Sequence, residues 1–525
     1  MAPLTLFLGK IMCFGNNNDF EESKARFCTR SYVTRKYSVH MSHMRILPVL
    51  MSFCMLSACA VGPDFKRPEV VPPADLFKAT TDKNAQQSQV VAGTVETSWW
   101  TLFNDDILSE LQVRAQKGNL DLQLAATRVA QSSAQISIAN AAGLPHLGVG
   151  GMYARAADSA NGQMALLGAP DAPYDIMRAG FNASWEIDMW GHARRNNEAA
   201  AASMLANAFQ REGVRVSIAA EVARTYIQLR HVQTQLDITQ QNLAIAEQAL
   251  KLANSRVKNG VATKFESAAS SAQLASIRAL VPRLEEQRDA LMNALALLLG
   301  EPPRALNALL MPTHQIPPVP RQVPIGLSSE LARRRPDILQ AEARLHAATA
   351  AIGAAKADFY PRISLVGNLG LESLDLNTFG NWASRTFSVG PTLYLPIFEG
   401  GRLRGSLALT KAREQEAAIA YQQTVLNAWH EVDDALSTYA DVQRRDEQLA
   451  LAFNEYRQAY DVALRRYEQG AAEYLMVLTA QRSLLASQLE LADNTSRISI
   501  AMVNLYKALG GGWAAQADTT GGKLQ

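Results

Sequence analysis

The chain has 525 residues, with 51 Lys or Arg, 49 Asp or Glu, and four cysteines. Seven of the basic and three of the acidic residues lie in 1–58, leaving 44 against 46 beyond, a balance that excludes a charge-driven nucleic-acid binder. Cys13, Cys28, Cys54 and Cys59 are the four, so the chain after residue 59 can form no disulfide, zinc-thiolate cluster or thiol nucleophile.

Met44 to Ala58 reads MRILPVLMSFCMLSA: one Arg, an apolar run, then small residues. That is the plan of a secretory signal, too short to remain as a membrane span. Residues 1–58 are therefore expected to be an upstream extension plus signal peptide, with the true start at Met41 or Met44. Leu56-Ser57-Ala58-Cys59 resembles a bacterial lipobox, which makes Cys59 the acylated N-terminus of the exported chain. Ala60 in place of Asp leans towards outer-membrane sorting. Residues 59–97 read as a lipidated linker rich in Pro, Gln and Thr, with Trp99-Trp100 anchoring it against helices. Beyond residue 58 no apolar run approaches eighteen residues, so any span must be built from strands.

Residues 98–300 and 328–513 read as one unit written twice, joined by a linker at 301–327 and followed by a tail at 514–525. At an offset of 210, Arg256 faces Arg466, Gly260 faces Gly470, and Leu299-Gly300 faces Leu509-Gly510. At 216, Asp121 faces Asp337, Arg128 faces Arg344, and Leu144-Pro145 faces Tyr360-Pro361. In the first copy a short helix ends near Gly118, and Asn119 N-caps a second that runs to about Ala142. Strands are expected at 146–155 and 181–190, linked by a Gly/Pro/Asp-rich surface loop. Residues 193–259 contain no Pro and place Val222, Tyr226, Leu229, Leu236, Leu243 and Leu250 at helical spacing. This predicts a helix of about 65 residues, roughly 100 Å long. Gly260 breaks it; Thr263 caps a return helix to Leu299, interrupted at Pro282.

In the second copy Pro336 opens a helix that Pro361 ends. Strands follow at 362–373 and 387–398, where Pro391 and Pro396 suggest bulges or a bend. A second long helix reaches Gln469, Gly470 breaks it, and a return helix runs to Leu509.

The helices are rich in Ala, which permits close packing of long neighbours as in a coiled coil. Helices near 100 Å must project from any ordinary domain. In the strand at 181–190, Phe181, Ala183, Trp185 and Ile187 share one face, and Asn182, Ser184, Glu186 and Asp188 share the other. Four such strands have the length and alternation of spans tilted across an outer membrane, with Glu186 and Asp188 towards an aqueous lumen. A soluble β-sandwich joined to coiled coil fits the same alternation. Four strands cannot close a barrel, and an open edge in lipid strands its backbone donors, so copies must assemble. Two copies give eight strands and a filled interior; three give twelve and an open channel.

Several segments carry a resemblance: Cys59-Ala60-Val61-Gly62-Pro63-Asp64-Phe65, Ser98-Trp99-Trp100, Trp185-Glu186-Ile187-Asp188-Met189-Trp190-Gly191, Arg334-Arg335-Pro336-Asp337-Ile338, Pro396-Ile397-Phe398-Glu399-Gly400-Gly401-Arg402 and Arg466-Tyr467-Glu468-Gln469-Gly470. In this ordered set, from 59 to about 513, the chain resembles the TolC-type outer-membrane factors, in the lipoprotein branch of NodT-like and OprM-like efflux channels. The resemblance implies a mainly α fold with a transmembrane β-barrel. Four barrel strands and long antiparallel helices per protomer would close as a homotrimeric β-barrel plus α-helical barrel, with a mixed band around its waist. It implies a lipid-anchored exit duct in the outer membrane of a Gram-negative bacterium, reaching into the periplasm. The duct would passively conduct small toxic compounds or drugs from an RND-type inner-membrane pump and a periplasmic adaptor. It implies no catalysis and no cofactor beyond diacylglycerol and palmitate on Cys59. The gating and adaptor-contacting tips map to Arg256, Gly260, Glu266, Arg466, Tyr467, Gly470 and Glu473, with Glu266 expected to pair with Lys264 or Arg466. The family's usual acidic aperture ring falls on Met476 and Thr479, with only Glu473 near. Within the channel class the alternative is a type I secretion channel; outside it, a periplasmic helical-hairpin adaptor lipoprotein.

Other chemistry is absent from the pattern. Beyond residue 58, His146, His192, His231, His314, His346 and His430 are scattered without metal-ligand spacing, and GVGGMY at 148–153 lacks the spacing of a dinucleotide loop. Arg333–Arg335 reads as a helix end.

Overall fold

A run of 67 residues without proline has no reason to leave the helix, and the two such runs do not. In the computed structural model, helix α3 is His192–Lys258 and helix α6 is Arg402–Glu468, each 67 residues and thus about 100 Å long. The structure describes residues 60–69, 88–91, 93–168, 172–326 and 331–514. The signal peptide, Cys59 and residues 515–525 of the tail lie outside the described residues.

Apart from α1, which has no counterpart of its length among the described residues, the two copies match element for element. The first comprises α1 (Asp106–Gly118), α2 (Leu120–Ala141), β2 (His146–Ala156), β3 (Tyr174–Ile187), α3 and α4 (Lys264–Leu298). The second comprises α5 (Pro336–Ala357), β5 (Arg362–Ser373), β6 (Arg385–Tyr394), α6 and α7 (Tyr474–Ala508). Helices α2 and α5 have 22 residues each, and α4 and α7 have 35 each. Two short strands from the linkers, β1 (Gln89–Val91) and β4 (Gln322–Pro324), pair in parallel.

Each return helix is half the length of its long partner, and a second helix completes the distance. Helix α4 ends against the start of α2: the Asn119 carboxamide donates to the Leu298 carbonyl at 2.8 Å while its oxygen caps Leu122 N at 3.0 Å. A Cβ on Gly300 would lie 2.3 Å from the Gly118 carbonyl oxygen, so only glycine permits this approach. Position 335 is the counterpart of 119 in the second copy. There Arg335 Nη1 donates to the Ala508 carbonyl at 2.8 Å and the same guanidinium binds Asp337 and Glu431. Arg335 thus joins α7 to α5, a role that reading Arg333–Arg335 as a plain helix end does not include.

The core gathers at this level. Trp99, in a 3₁₀ turn at Trp99–Phe103, is fully buried and stacks on Tyr506 with ring centroids 5.6 Å apart. Leu108, Leu111, Tyr226, Leu229, Val432, Tyr439 and Met502 belong to the same cluster. The Trp99-Trp100 anchor is where the sequence places it.

Several boundaries differ from expectation. Strand β3 starts at Tyr174, inside the segment read as loop, because Tyr174 and Asp175 continue the ladder opposite Ala156 and Arg155. Strand β6 ends at Tyr394, since Pro396 has no N–H to continue it. Pro391 makes no bulge; it sits in register opposite Leu365 on β6. Pro282 lies within α4 without interrupting it. Thr263 occupies the N-cap of α4 but makes no side-chain cap bond.

Candidate functional site

The four long strands form one antiparallel sheet in the order β2-β3-β5-β6. Its register sorts the side chains onto two faces. Gly148, Asn182, Asn368 and Ser388 form one row, and Glu186, Ser364 and Thr392 another on the same face. Leu147, Val149, Phe181, Leu365, Leu369, Phe387, Val389 and Leu393 take the opposite face. Val149 and Val389 are 76% and 75% exposed, an apolar surface that water would not leave uncovered. Aromatic residues collect where the sheet meets the helices. Trp190 stacks on Tyr360 at 4.7 Å, and Trp185 Nε1 donates to the Gly143 carbonyl at 3.0 Å. Bands of this kind flank the apolar belt of membrane barrels.

Glu186 lies on the polar face and is exposed. Asp188 does not join it. Strand β3 ends at Ile187, and the Asp188 carboxylate accepts the Arg194 backbone N–H at 2.9 Å and pairs with the Arg194 guanidinium at 3.5 Å. It serves the first turn of α3, where a carboxylate meets free N–H groups, and is not a wall residue of the polar face.

The segment at 60–69 is seated at the foot of the sheet. Val61 N–H donates to the Trp190 carbonyl at 3.0 Å, and a Cβ on Gly191 would lie 2.8 Å from the Ala60 Cβ. Asp64 binds the buried Arg195 at 2.6 Å, and Phe65 stacks on His346 at 4.5 Å. Gly62, at φ +117°, passes so close to Gly353 that a Cβ would meet its Cα at 2.4 Å.

At the far end of the long helices the two turns are alike. Gly260 and Gly470 adopt φ +75° and +73°. Val261 N–H donates to the Arg256 carbonyl at 3.0 Å, and Ala471 N–H to the Arg466 carbonyl at 2.8 Å. Both are Schellman closures, which need a residue tolerant of positive φ.

The side chains around them are not alike. Arg256 crosses to the second hairpin, donating from Nη1 to the Tyr467 carbonyl at 3.1 Å with its guanidinium 4.4 Å above the Tyr467 ring. The Tyr467 hydroxyl donates to Glu266 Oε2 at 3.1 Å. Glu266 therefore pairs with Tyr467, and not with Lys264 or Arg466. Burial, with the Glu266 carboxylate beside it, pushes the Tyr467 phenol up to about 12. Arg466 and Glu473 are exposed, Glu473 at the N-cap of α7.

The family model described as "Outer membrane efflux protein" matches residues 111–301 and 327–511. The chain belongs to the outer membrane efflux proteins. The chain is 33% identical over 463 residues to the outer membrane protein OprJ of Pseudomonas aeruginosa, spanning 87% of this chain and 94% of that one. It is 30% identical over 477 residues to the cation efflux system protein CusC of Escherichia coli K12, spanning 90% and 100%. Its structure matches the outer-membrane channel OprN with a TM-score of 0.80 at 30% identity, covering 87% of this chain and all of that one.

This efflux protein is thus located in the outer membrane, and no described helix is long and apolar enough to cross it. The two-faced sheet is the element suited to that place. Sequence reasoning missed the direct link between the hairpins: Tyr467 with Glu266, Arg482 with Gln273 at 2.6 Å, and Asn242 with Gln488 at 2.9 Å. The signal was present as a departure from the duplication. Tyr467 faces Val257, and Glu266 faces Met476, so the two cross-linking residues stand where the copies differ.

Proposed function

We propose that three copies close this sheet into a twelve-stranded barrel and their long helices into a tunnel, forming the exit duct of a tripartite efflux pump. The observation that carries this reading is the sheet itself: a polar face, an apolar face, and outer edges on β2 and β6 that have no partner among the described residues. In hydrocarbon those edges are tolerable only when another copy pairs with them. Glu186 then faces the lumen, and the apolar face meets lipid.

Cys59, one peptide unit from Ala60, would carry its diacylglycerol and palmitate into the leaflet at the foot of the barrel. The seat of Ala60 and Val61 against Gly191 and Trp190 supports that position. Opposite, the turns at Gly260 and Gly470, with Arg256, Arg466 and Glu473, meet the helical hairpin of a periplasmic adaptor coupled to an RND-type inner-membrane pump. The bonds from Arg256 and Tyr467 hold the tip closed, and parting the two hairpins opens it. The duct itself consumes no energy and catalyses nothing.

The test is migration of detergent-extracted outer membrane on gels before and after boiling. An unboiled species of three times the subunit mass that collapses on heating is expected. A protein that stays monomeric in mild detergent would overturn the reading.

A further inference from the structure

We infer that Glu186 gives the barrel's lumen its preference for cationic over anionic solutes. The inference rests on the trimer closure proposed above. It follows from an inventory of charge on the polar face. The four strands place Arg178, Glu186, Arg362 and Glu372 there. Arg178 faces Glu372 in register and binds it at 3.0 Å. Arg362 binds Asp358 at 2.6 Å. Glu186 has neither a hydrogen bond nor an ion pair among the described residues. Its register neighbour is Ser364, and the hydroxyl of Thr392, next in the row, is spent on the Ser364 carbonyl at 3.2 Å.

The intervening rows add nothing to the balance. Gly148, Asn182, Asn368 and Ser388 form one, and Gly150, Gly180, Gly370 and Thr386 the next. All are uncharged, and the glycines leave the wall low. Two titratable groups stand diagonal to Glu186 on this face: His146, opposite Ser184, and Arg362, two positions before Ser364 and already bound to Asp358. Closure by a threefold axis turns one uncompensated carboxylate into a ring of three at the foot of the barrel. At the tips the positions after Gly470 hold Met476 and Thr479, with Glu473 as the nearby carboxylate, so the barrel and the tip are tested separately. Fixed charge in a water-filled passage acts over about 10 Å at 0.1 M salt and about 30 Å at 0.01 M, so such a ring biases the passing ions.

The chain lacks cysteine beyond residue 59, which makes the test local and independent of the tip. Ser364→Cys is made with Glu186 intact and with Glu186→Gln, and trimers in vesicles are treated with cationic and anionic methanethiosulfonates. Both proteins also carry His146→Gln, so that the imidazole beside Glu186 plays no part in the comparison. With Glu186 intact the cationic reagent should react faster. Glu186→Gln should lower the cation-to-anion rate ratio about tenfold near 0.01 M salt, with little change near 1 M. Arg178→Gln, which leaves Glu372 uncompensated, should shift the ratio the opposite way. An unchanged ratio in Glu186→Gln at low salt would overturn the inference while leaving the closure intact. A Ser364→Cys trimer that reacts with neither reagent would overturn the lumen assignment itself.

Discussion

Tyr467 and Glu266 lie 201 positions apart, in different copies of the duplicated unit, and meet at 3.1 Å across the turn region of the two hairpins. Arg256 holds the same tyrosine from the other side, over its ring and at its carbonyl. One side chain thereby ties the end of α6 to both limbs of the first hairpin. Any motion that parts the hairpins must break these contacts together.

Removing the hydroxyl alone tests the tie. Tyr467→Phe keeps the ring under Arg256 and loses the bond to Glu266, worth about 1–2 kcal/mol for an acceptor that is charged. The open fraction of reconstituted trimers should rise roughly fivefold to thirtyfold, read as conductance in planar bilayers. Glu266→Gln should act in the same direction, and the double variant should add little to either single one. Unchanged closed-state conductance in both single variants would remove Tyr467 and Glu266 from the gate.

Alkaline pH should act through the same tyrosine. Its phenol is pushed up to about 12, above the ordinary value of 10.0, so the folded tip favours the protonated form. That stabilisation is fully present below pH 10 and is lost as pH rises from there towards about 12. Trimers should gain conductance across that window, and Tyr467→Phe should flatten the rise. Wild type and variant rising in parallel would place the titrating group elsewhere.

These contacts mark the limit of what the sequence makes legible. The long helices, the glycine turns and the Asn119 cap follow from local rules, namely the absence of proline, helical spacing and side-chain capping, and all appear at or within two residues of the expected place. The sheet's two faces are legible because alternation is local as well. Strand ends are less so: Asp188 alternates correctly with Glu186, yet the free N–H groups opening α3, six residues on, take its carboxylate away. The partner of Glu266 depends on how two hairpins 200 residues apart pack. Charge suggests Lys264 or Arg466, but burial decides for a phenol that stacks under an arginine.

Arg335 yields a stability prediction of the same non-local kind. Its side chain is nearly buried between the end of α7 and the start of α5, bonded to Ala508, Asp337 and Glu431. Arg335→Ala would leave the Ala508 carbonyl without this donor, while both carboxylates, partly exposed, recover water. A loss of about 2 kcal/mol is expected, seen as a lower denaturation midpoint of the detergent-solubilised protein. Arg335→Lys should restore only part of it, because one ammonium cannot reproduce the planar fork that reaches three acceptors. Full rescue by Lys would mean that charge alone matters at this junction.

The seat of residues 60–69 can be tested at its close backbone approach to α5. Gly62 combines a positive φ with a 2.4 Å approach of its absent Cβ to Gly353 Cα, so alanine there is excluded both by conformation and by space. The neighbouring attachments, Asp64 to Arg195 and Phe65 to His346, cannot both survive the displacement that a methyl group forces. Gly62→Ala should therefore lift the segment while the helices and sheet remain folded. The bond after Lys66, in a chain held against α5 through Arg67 and Glu342 at 2.7 Å, would become a site of rapid trypsin cleavage, whereas the Arg67-Pro68 bond resists trypsin. Limited proteolysis followed by mass analysis should show cleavage there at least tenfold faster than in the unaltered protein, a ratio of about 1.4 kcal/mol in local opening. Gly353→Ala, whose Cβ would meet the Arg195 side chain at 2.8 Å, should reproduce the effect from the opposite wall. Equal cleavage rates in all three proteins would show that the seat does not depend on the glycine pair.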